Sequence, residues 1–152
     1  MRKFILIGLC FLSIKAMADE SLDPRVVAEA ARQMQLTEAE VRELALHGCD
    51  SASTYDMGGC SSYWFIAEDF TMNELFKQLM AGRKGKPQQK LLLSAQRSWL
   101  AFRDASCAFE ASGYLGGTLA KVENLQCMTK TTESRNAQLR EYASCSADGG
   151  CP

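Results

Sequence analysis

The sequence carries one histidine, His47, and no close cysteine pair of the C-x-x-C kind. Structural zinc sites need such pairs or added histidines, so neither a metal nor any other cofactor is expected. Nucleophilic catalysis is equally poorly supplied. There is no G-x-S-x-G turn, and His47 falls in the last turn of a short predicted helix, where a cation complements the helix dipole. Glu68, Asp69 and Glu74 share one predicted helix, but acids on a helix ordinarily form its solvated face, and glycoside hydrolysis needs a cleft to place them in. We expect no enzyme. The chain has no basic run interleaved with aromatics, which argues against a nucleic-acid partner. Beyond the first residues no window approaches the roughly 20 apolar residues of a membrane span. No internal repeat and no alternating strand pattern is present.

What is present begins with an export signal. Met1-Arg2-Lys3 is followed by an apolar run from Phe4 to Ile14, and Ala16 and Ala18 suit a signal peptidase. Cleavage near Ala18 is expected, giving a soluble periplasmic or secreted protein. A lipoprotein signal at Cys10 is the alternative, disfavoured by the bulky Leu9 before it. Removing residues 1–18 leaves 134 residues, one domain's worth of chain. Losing Arg2, Lys3 and Lys15 leaves 14 basic against 18 acidic residues, a formal charge of −4.

Six cysteines then remain: Cys49, Cys60, Cys107, Cys127, Cys145 and Cys151. An even number in an exported chain reads as a disulfide framework, and six permit 15 pairings. Neighbour with neighbour is the pairing carried forward: Cys49 with Cys60, Cys107 with Cys127, Cys145 with Cys151. The second pair strains ideal antiparallel helices, because Cys127 lies farther from the intervening break than Cys107. Either residues 118–124 are partly irregular or the cysteines pair differently.

The fold is expected to be all-α, a disulfide-stapled antiparallel bundle of three longer helices plus two short N-terminal ones. Asp23-Pro24 suits a helix start. Thr37 and Glu40 form a capping box, with Leu36 and Val41 at its staple positions and Gly48 as a stop. Two short helices should thus occupy 24–47. The Ser- and Gly-rich stretch between Cys49 and Cys60 reads as a loop. A helix from about Ser62 to Ala81 has Phe65, Met72, Phe76 and Leu79 on one stripe, interrupted by Asp69. A turn over 82–87 leads to a helix over about 88–112. Its seam is Leu92, Ala95, Trp99, Phe102, Ser106 and Phe109, with Gln96, Arg103 and Glu110 at the edge. Gly113, Gly116 and Gly117 then bracket Tyr114-Leu115. The last helix lies between Thr118 and Ser144, with Thr132 and Arg135 inside an apolar seam of Leu125, Met128, Leu139 and Tyr142.

Buried arginines need acceptors. We therefore expect a structural network joining the long helices, made of Asp69, Arg103, Asp104, Thr132 and Arg135, with the two aspartates receiving the two arginines.

These residues form a pattern. Ala95-Gln96-Arg97-x-Trp99-x-x-Phe102-Arg103-Asp104-x-x-Cys107 is its most specific part, with Cys60, Asp69, Met72-Asn73, Gly116-Gly117-Thr118, Cys127-Met128 and Thr132-x-x-Arg135-x-x-x-Leu139 around it. From about Cys49 to Leu139 the chain resembles the LprI-like family of small exported bacterial proteins. It departs at Glu68, Met72 and Phe76, where alanine, leucine and tyrosine are usual. The resemblance implies an all-α domain over 49–145, with 19–48 a helical extension and 146–152 a tail. It also implies inhibition of a lysozyme. The expected partner is a lysozyme or another cell-wall hydrolase, blocked by a stiff loop for which Tyr114-Leu115 is the candidate; the same pair also reads as a plain helix-to-helix turn. The alternative is an immunity or accessory protein that binds a different secreted toxin or envelope enzyme.

Overall fold

A computed structural model of the protein describes residues 22–148, the last four as backbone only. The signal segment and the pairing of Cys145 with Cys151 lie outside the described residues. Five α-helices follow one another: α1 Pro24–Met34, α2 Glu38–His47, α3 Thr54–Gly82, α4 Pro87–Ala111 and α5 Leu119–Asp148. Short 3-10 turns fill Gly48–Asp50 and Ser112–Tyr114, and no strand occurs among the described residues.

The N-terminal pair forms as the sequence indicates. The Asp23 carboxylate accepts from the Arg25 N–H at 2.9 Å, with Pro24 in the first turn. Thr37 and Glu40 complete a reciprocal capping box. Between these helices Gln35 adopts a left-handed conformation at φ 58°, which a non-glycine residue takes at a cost of about 1–2 kcal/mol. Burial outweighs that strain. Val27 and Val41 are fully enclosed against Tyr63 and Ile66 of α3, and each such side chain stabilises by about 1.5–3 kcal/mol.

Helix α3 starts eight residues earlier than its apolar stripe suggests, so Cys60 sits inside a helix and not at the end of a loop. Local hydrogen bonds decide this. Ser53 caps the first turn by accepting from the Asp56 N–H, and the Asp56 carboxylate accepts from the Ser51 hydroxyl at 2.8 Å. The helix then runs through Gly58 and Gly59, each of which disfavours it by about 1 kcal/mol. Gly59 lets the Leu44 side chain of α2 approach, and the Cys49–Cys60 disulfide, with Cα atoms 5.3 Å apart, ties the preceding turn to the helix. Gly48 ends α2 with an ordinary φ of −68°, so left-handed freedom is not its role. A Cβ there would lie 2.7 Å from the Asp56 carbonyl oxygen.

Helices α3, α4 and α5 run up, down and up. Helix α5 lies parallel to α3 along its length and antiparallel to α4, whereas α4 barely touches α3. The core is consequently in two parts. One lies between α1, α2 and the first half of α3; the other holds Met72, Leu79 and Leu139 at the far end. With α5 as its main support, α4 buries a narrow stripe of Gln96, Arg103, Cys107 and Ala111. The apolar seam read from the sequence is rotated from this stripe. Phe102 is 63% exposed and Phe109 78%. On α5, Val122, Thr132, Arg135, Asn136 and Leu139 face inward.

The Cys107–Cys127 disulfide forms across a regular α5, with Cα atoms 5.5 Å apart, so residues 118–124 need no irregularity beyond the helix start at Leu119. The 3-10 turn removes the strain. At about 1.5 Å per α residue and 2.0 Å per 3-10 residue, the arms from Cys107 to Tyr114 and from Leu119 to Cys127 both rise about 12 Å.

Two outcomes follow for stability. Gly48→Ala forces a methyl group onto backbone and is expected to lower unfolding free energy by about 1–3 kcal/mol, whereas Gly59→Ala meets a movable leucine and costs less. Urea denaturation compares them. The carboxylates of Asp23, Glu29 and Glu40 are all held below their ordinary values, by side-chain hydrogen bonds from Arg25, Arg32 and Thr37 respectively, and Glu29 reaches about 2. Such stabilisation is complete above the ordinary carboxylate range and fades as pH falls towards the folded values. The protection factors of the Val27 and Val41 amides, in which the intrinsic pH dependence of exchange cancels, should therefore fall between pH 4.5 and about 2 before that of Leu139 does.

Candidate functional site

A polar layer separates the two apolar clusters. Arg103, 6% exposed, reaches from α4 to both neighbouring long helices. Its Nη1 donates to Asp69 Oδ1 at 3.1 Å and to Thr132 Oγ1 at 3.3 Å, while Nε donates to Asp104 Oδ1 at 2.9 Å. Phe65 and Trp99 supply aromatic faces, each with its centroid 5.3 Å from the guanidinium carbon. Four of the five network residues expected from sequence therefore meet at one point.

Arg135 does not join them at a carboxylate. Its Nε donates to Gln96 Oε1 at 3.0 Å, its Nη1 donates to Gln138 Oε1, and its guanidinium lies over Trp99 with the centroid at 5.6 Å. Nη2 is buried without a partner among the described residues. The expected Arg135–aspartate pair fails because Arg103 already occupies Asp69, and Asp104 lies on the same helix beside Arg103. Gln96 links the layer to the far cluster through a contact from Nε2 to the Met72 sulfur at 3.2 Å. Sequence reading placed Gln96 at the helix edge and missed Asn136 altogether. Asn136 is fully buried and donates to the Glu68 carbonyl and carboxylate at 3.0 and 2.8 Å. Its position one residue after Arg135, next to the recognised seam, was the available signal.

Beyond this layer lies the tip joining α4 to α5. Tyr114 is 45% exposed and Leu115 81%. The turn is closed by N–H donation from Leu115 to Ser112, from Gly117 to Tyr114 at 2.9 Å, and from Ala120 to Gly117. Gly116, at φ +85°, provides the left-handed step that this path requires. Below the turn the Cys107–Cys127 bridge ties the two legs together. Phe109 and Leu119 are exposed at the same end.

Beside the base of the tip runs an open groove of about 640 Å³. Lys121 and Leu125 of α5 form one wall, Leu36 and Leu44 of the N-terminal segment another, with Phe65 and Ile66 between them. The short N-terminal helices thus shape the surface next to the tip. The described residues contain no cluster of three potential metal ligands, and none of their helices is long and apolar enough to cross a membrane.

The family model described as lysozyme inhibitor LprI matches residues 49–139. The chain belongs to the LprI family. The matched span starts at Cys49 and ends at the buried Leu139, so it takes in both described disulfides, the Arg103 layer and the tip. Helices α1 and α2 fall outside it. An uncharacterized protein of Rhizobium meliloti (strain 1021) is 22% identical over 103 residues, covering 60% of this chain and 74% of that protein. No solved structure matches. Membership in LprI supports a role of the lysozyme-inhibitor type, and an inhibitor instead of an enzyme. Paired cysteines point to an oxidising, extracytoplasmic setting.

The Arg103 layer is expected to be structural. Arg103→Met takes the guanidinium from Asp69, which keeps the Asn73 amide, and from Thr132, which keeps the Met128 carbonyl, and should cost about 1–3 kcal/mol, whereas Asp104→Asn, at a side chain 59% exposed, should cost under about 1 kcal/mol. Denaturant unfolding of the two variants checks the order.

Proposed function

We propose that this protein is a periplasmic inhibitor that occupies the cleft of a lysozyme-type muramidase, with Tyr114 and Leu115 as the inserted element. The observation that carries this reading is the exposure of those two side chains on a turn whose legs are covalently tied. A stiff apolar projection loses little conformational freedom on binding, and affinity depends more on such preorganisation than on area. Aromatic and aliphatic anchors filling a pocket commonly dominate an interface. The net negative charge of the processed chain favours encounter with a cationic enzyme.

A second reading retains the same scaffold for a different partner. Helices α1 and α2, outside the family match, form a wall of the groove beside the tip and offer a surface on which an immunity or accessory role could rest.

Lysis of bacterial cells by hen-type, goose-type and invertebrate-type lysozymes, with and without stoichiometric protein, tests the proposal. At least one enzyme is expected to be inhibited, and Leu115→Asp should weaken that inhibition about tenfold or more, or about 1.4 kcal/mol, without lowering thermal stability. Full activity of every lysozyme in the presence of the protein would falsify the inhibitor reading, and an unimpaired Leu115→Asp variant would remove the tip from it.

A further inference from the structure

Arg135 is the anomaly of the bundle. It is 6% exposed, and the groups that satisfy it are neutral: Gln96 at Nε and Gln138 at Nη1. Burial holds it below the ordinary arginine value, and Nη2 is unpartnered among the described residues. Arg103, one layer away, has two carboxylates. The same helix pair therefore contains one neutralised guanidinium and one that is not.

The second guanidinium borders an opening. Between the outer sides of α4 and α5 lies a shallow groove of about 550 Å³, lined by Arg135, Lys130, Trp99, Phe102 and Gln138 among others. No carboxylate lines it. Lys130 is exposed and forms no ion pair among the described residues. Trp99 supplies the face on which Arg135 rests, and Phe102 stands 63% exposed at the rim. The lining hydroxyls have their protons engaged, Thr131 with the Cys127 carbonyl and Ser134 with the Lys130 carbonyl. Arg135 and Lys130 are thus the cationic donors facing this groove, beside the neutral Gln138 amide and Trp99 indole, and its walls are aromatic.

We propose that the groove between α4 and α5 binds a carboxylate, an aspartate or glutamate side chain presented by the protein partner. Arg135 is its anchor and Lys130 the second cation. The proposal rests on the reading that the chain acts by binding another protein, and it adds a site separate from the tip. An incoming carboxylate displaces the exposed Gln138 from Nη1 and gives the guanidinium the acceptor that its own chain withholds. A planar fork backed by an aromatic face matches a carboxylate geometrically. The burial of Arg135 strengthens the pair beyond what an exposed arginine achieves. A protein side chain fits better than an extended anionic surface. The chain is net acidic, which repels nucleic acid and anionic membranes, while two cations beside an exposed phenylalanine suit one acid in an otherwise apolar contact.

Nitrogen-15 NMR of the arginine side chains of the purified protein reads the site directly. Titration with Ac-Glu-NH2 is expected to shift the Arg135 Nε–H signal saturably and to leave Arg103 in place, while the neutral isostere Ac-Gln-NH2 moves neither. Lys130→Glu, a change on the exposed side, should preserve the melting temperature and weaken Ac-Glu-NH2 binding about tenfold or more. Absence of a shift at Arg135, an equal shift with Ac-Gln-NH2, or tighter binding of inorganic phosphate than of Ac-Glu-NH2 overturns the assignment. The groove and the inhibitor reading fail separately. Loss of Ac-Glu-NH2 binding removes the groove whatever the lysozymes do, and unimpaired lysozymes remove the inhibitor reading whatever Arg135 does.

Discussion

A guanidinium at the centre of a small helical protein fixes where everything around it must stand. Arg103 extends from α4, and its ligands come from α3, α4 and α5. If α5 slid by one turn along α3, Thr132 would leave the arginine and Asn136 would leave Glu68. An apolar seam tolerates such a slip at modest cost, since one leucine replaces another. A buried charge does not, because each lost acceptor leaves an uncompensated group in a poor dielectric. The two disulfides act on the same geometry from outside the layer. One anchors the start of α3, and the other ties α4 to α5 about one helical turn from Arg103.

Local chemistry was the most legible part of the sequence. The Asp23 cap and the Thr37–Glu40 box involve neighbours in the chain, and each forms where its residues indicate. The start of α3 was concealed by Gly58 and Gly59, whose weak helix propensity resembles a loop until the Ser53 cap and the Cys49–Cys60 bridge are taken into account. The inward face of α4 was hidden for a different reason. Periodicity detects apolar residues, and this helix turns Gln96 and Arg103 inward while Phe102 and Phe109 face solvent. Of the polar cluster, Asp69 and Thr132 were identifiable as interruptions of apolar stripes, and Arg103 as a residue flanking one. Arg135 was identifiable as buried but not as lacking a carboxylate, because competition for Asp69 depends on helix packing that one sequence does not display.

The family match and the physical core do not share a boundary. Residues 49–139 include the polar layer and the far cluster, yet the first cluster requires Val27, Ala30 and Val41 from α1 and α2 to cover Tyr63 and Ile66. The short N-terminal helices are therefore structural partners of α3 as well as neighbours of the tip. Any special character they give the surface is bound to the stability of the fold, since the same two helices bury one face and display the other.

The bridge between Cys107 and Cys127 has a consequence for variation. It seals a small closed loop from the rest of the chain, so substitutions between those cysteines leave the register of α4 and α5 to be held by the bridge and the layer beyond it. Exposed positions such as Tyr114 and Leu115 can change while the bundle is inherited, provided that Gly116 keeps its left-handed step and Ala111 and Val122 keep their burial. The covalent seal lets a few surface positions vary without asking the rest of the molecule to follow.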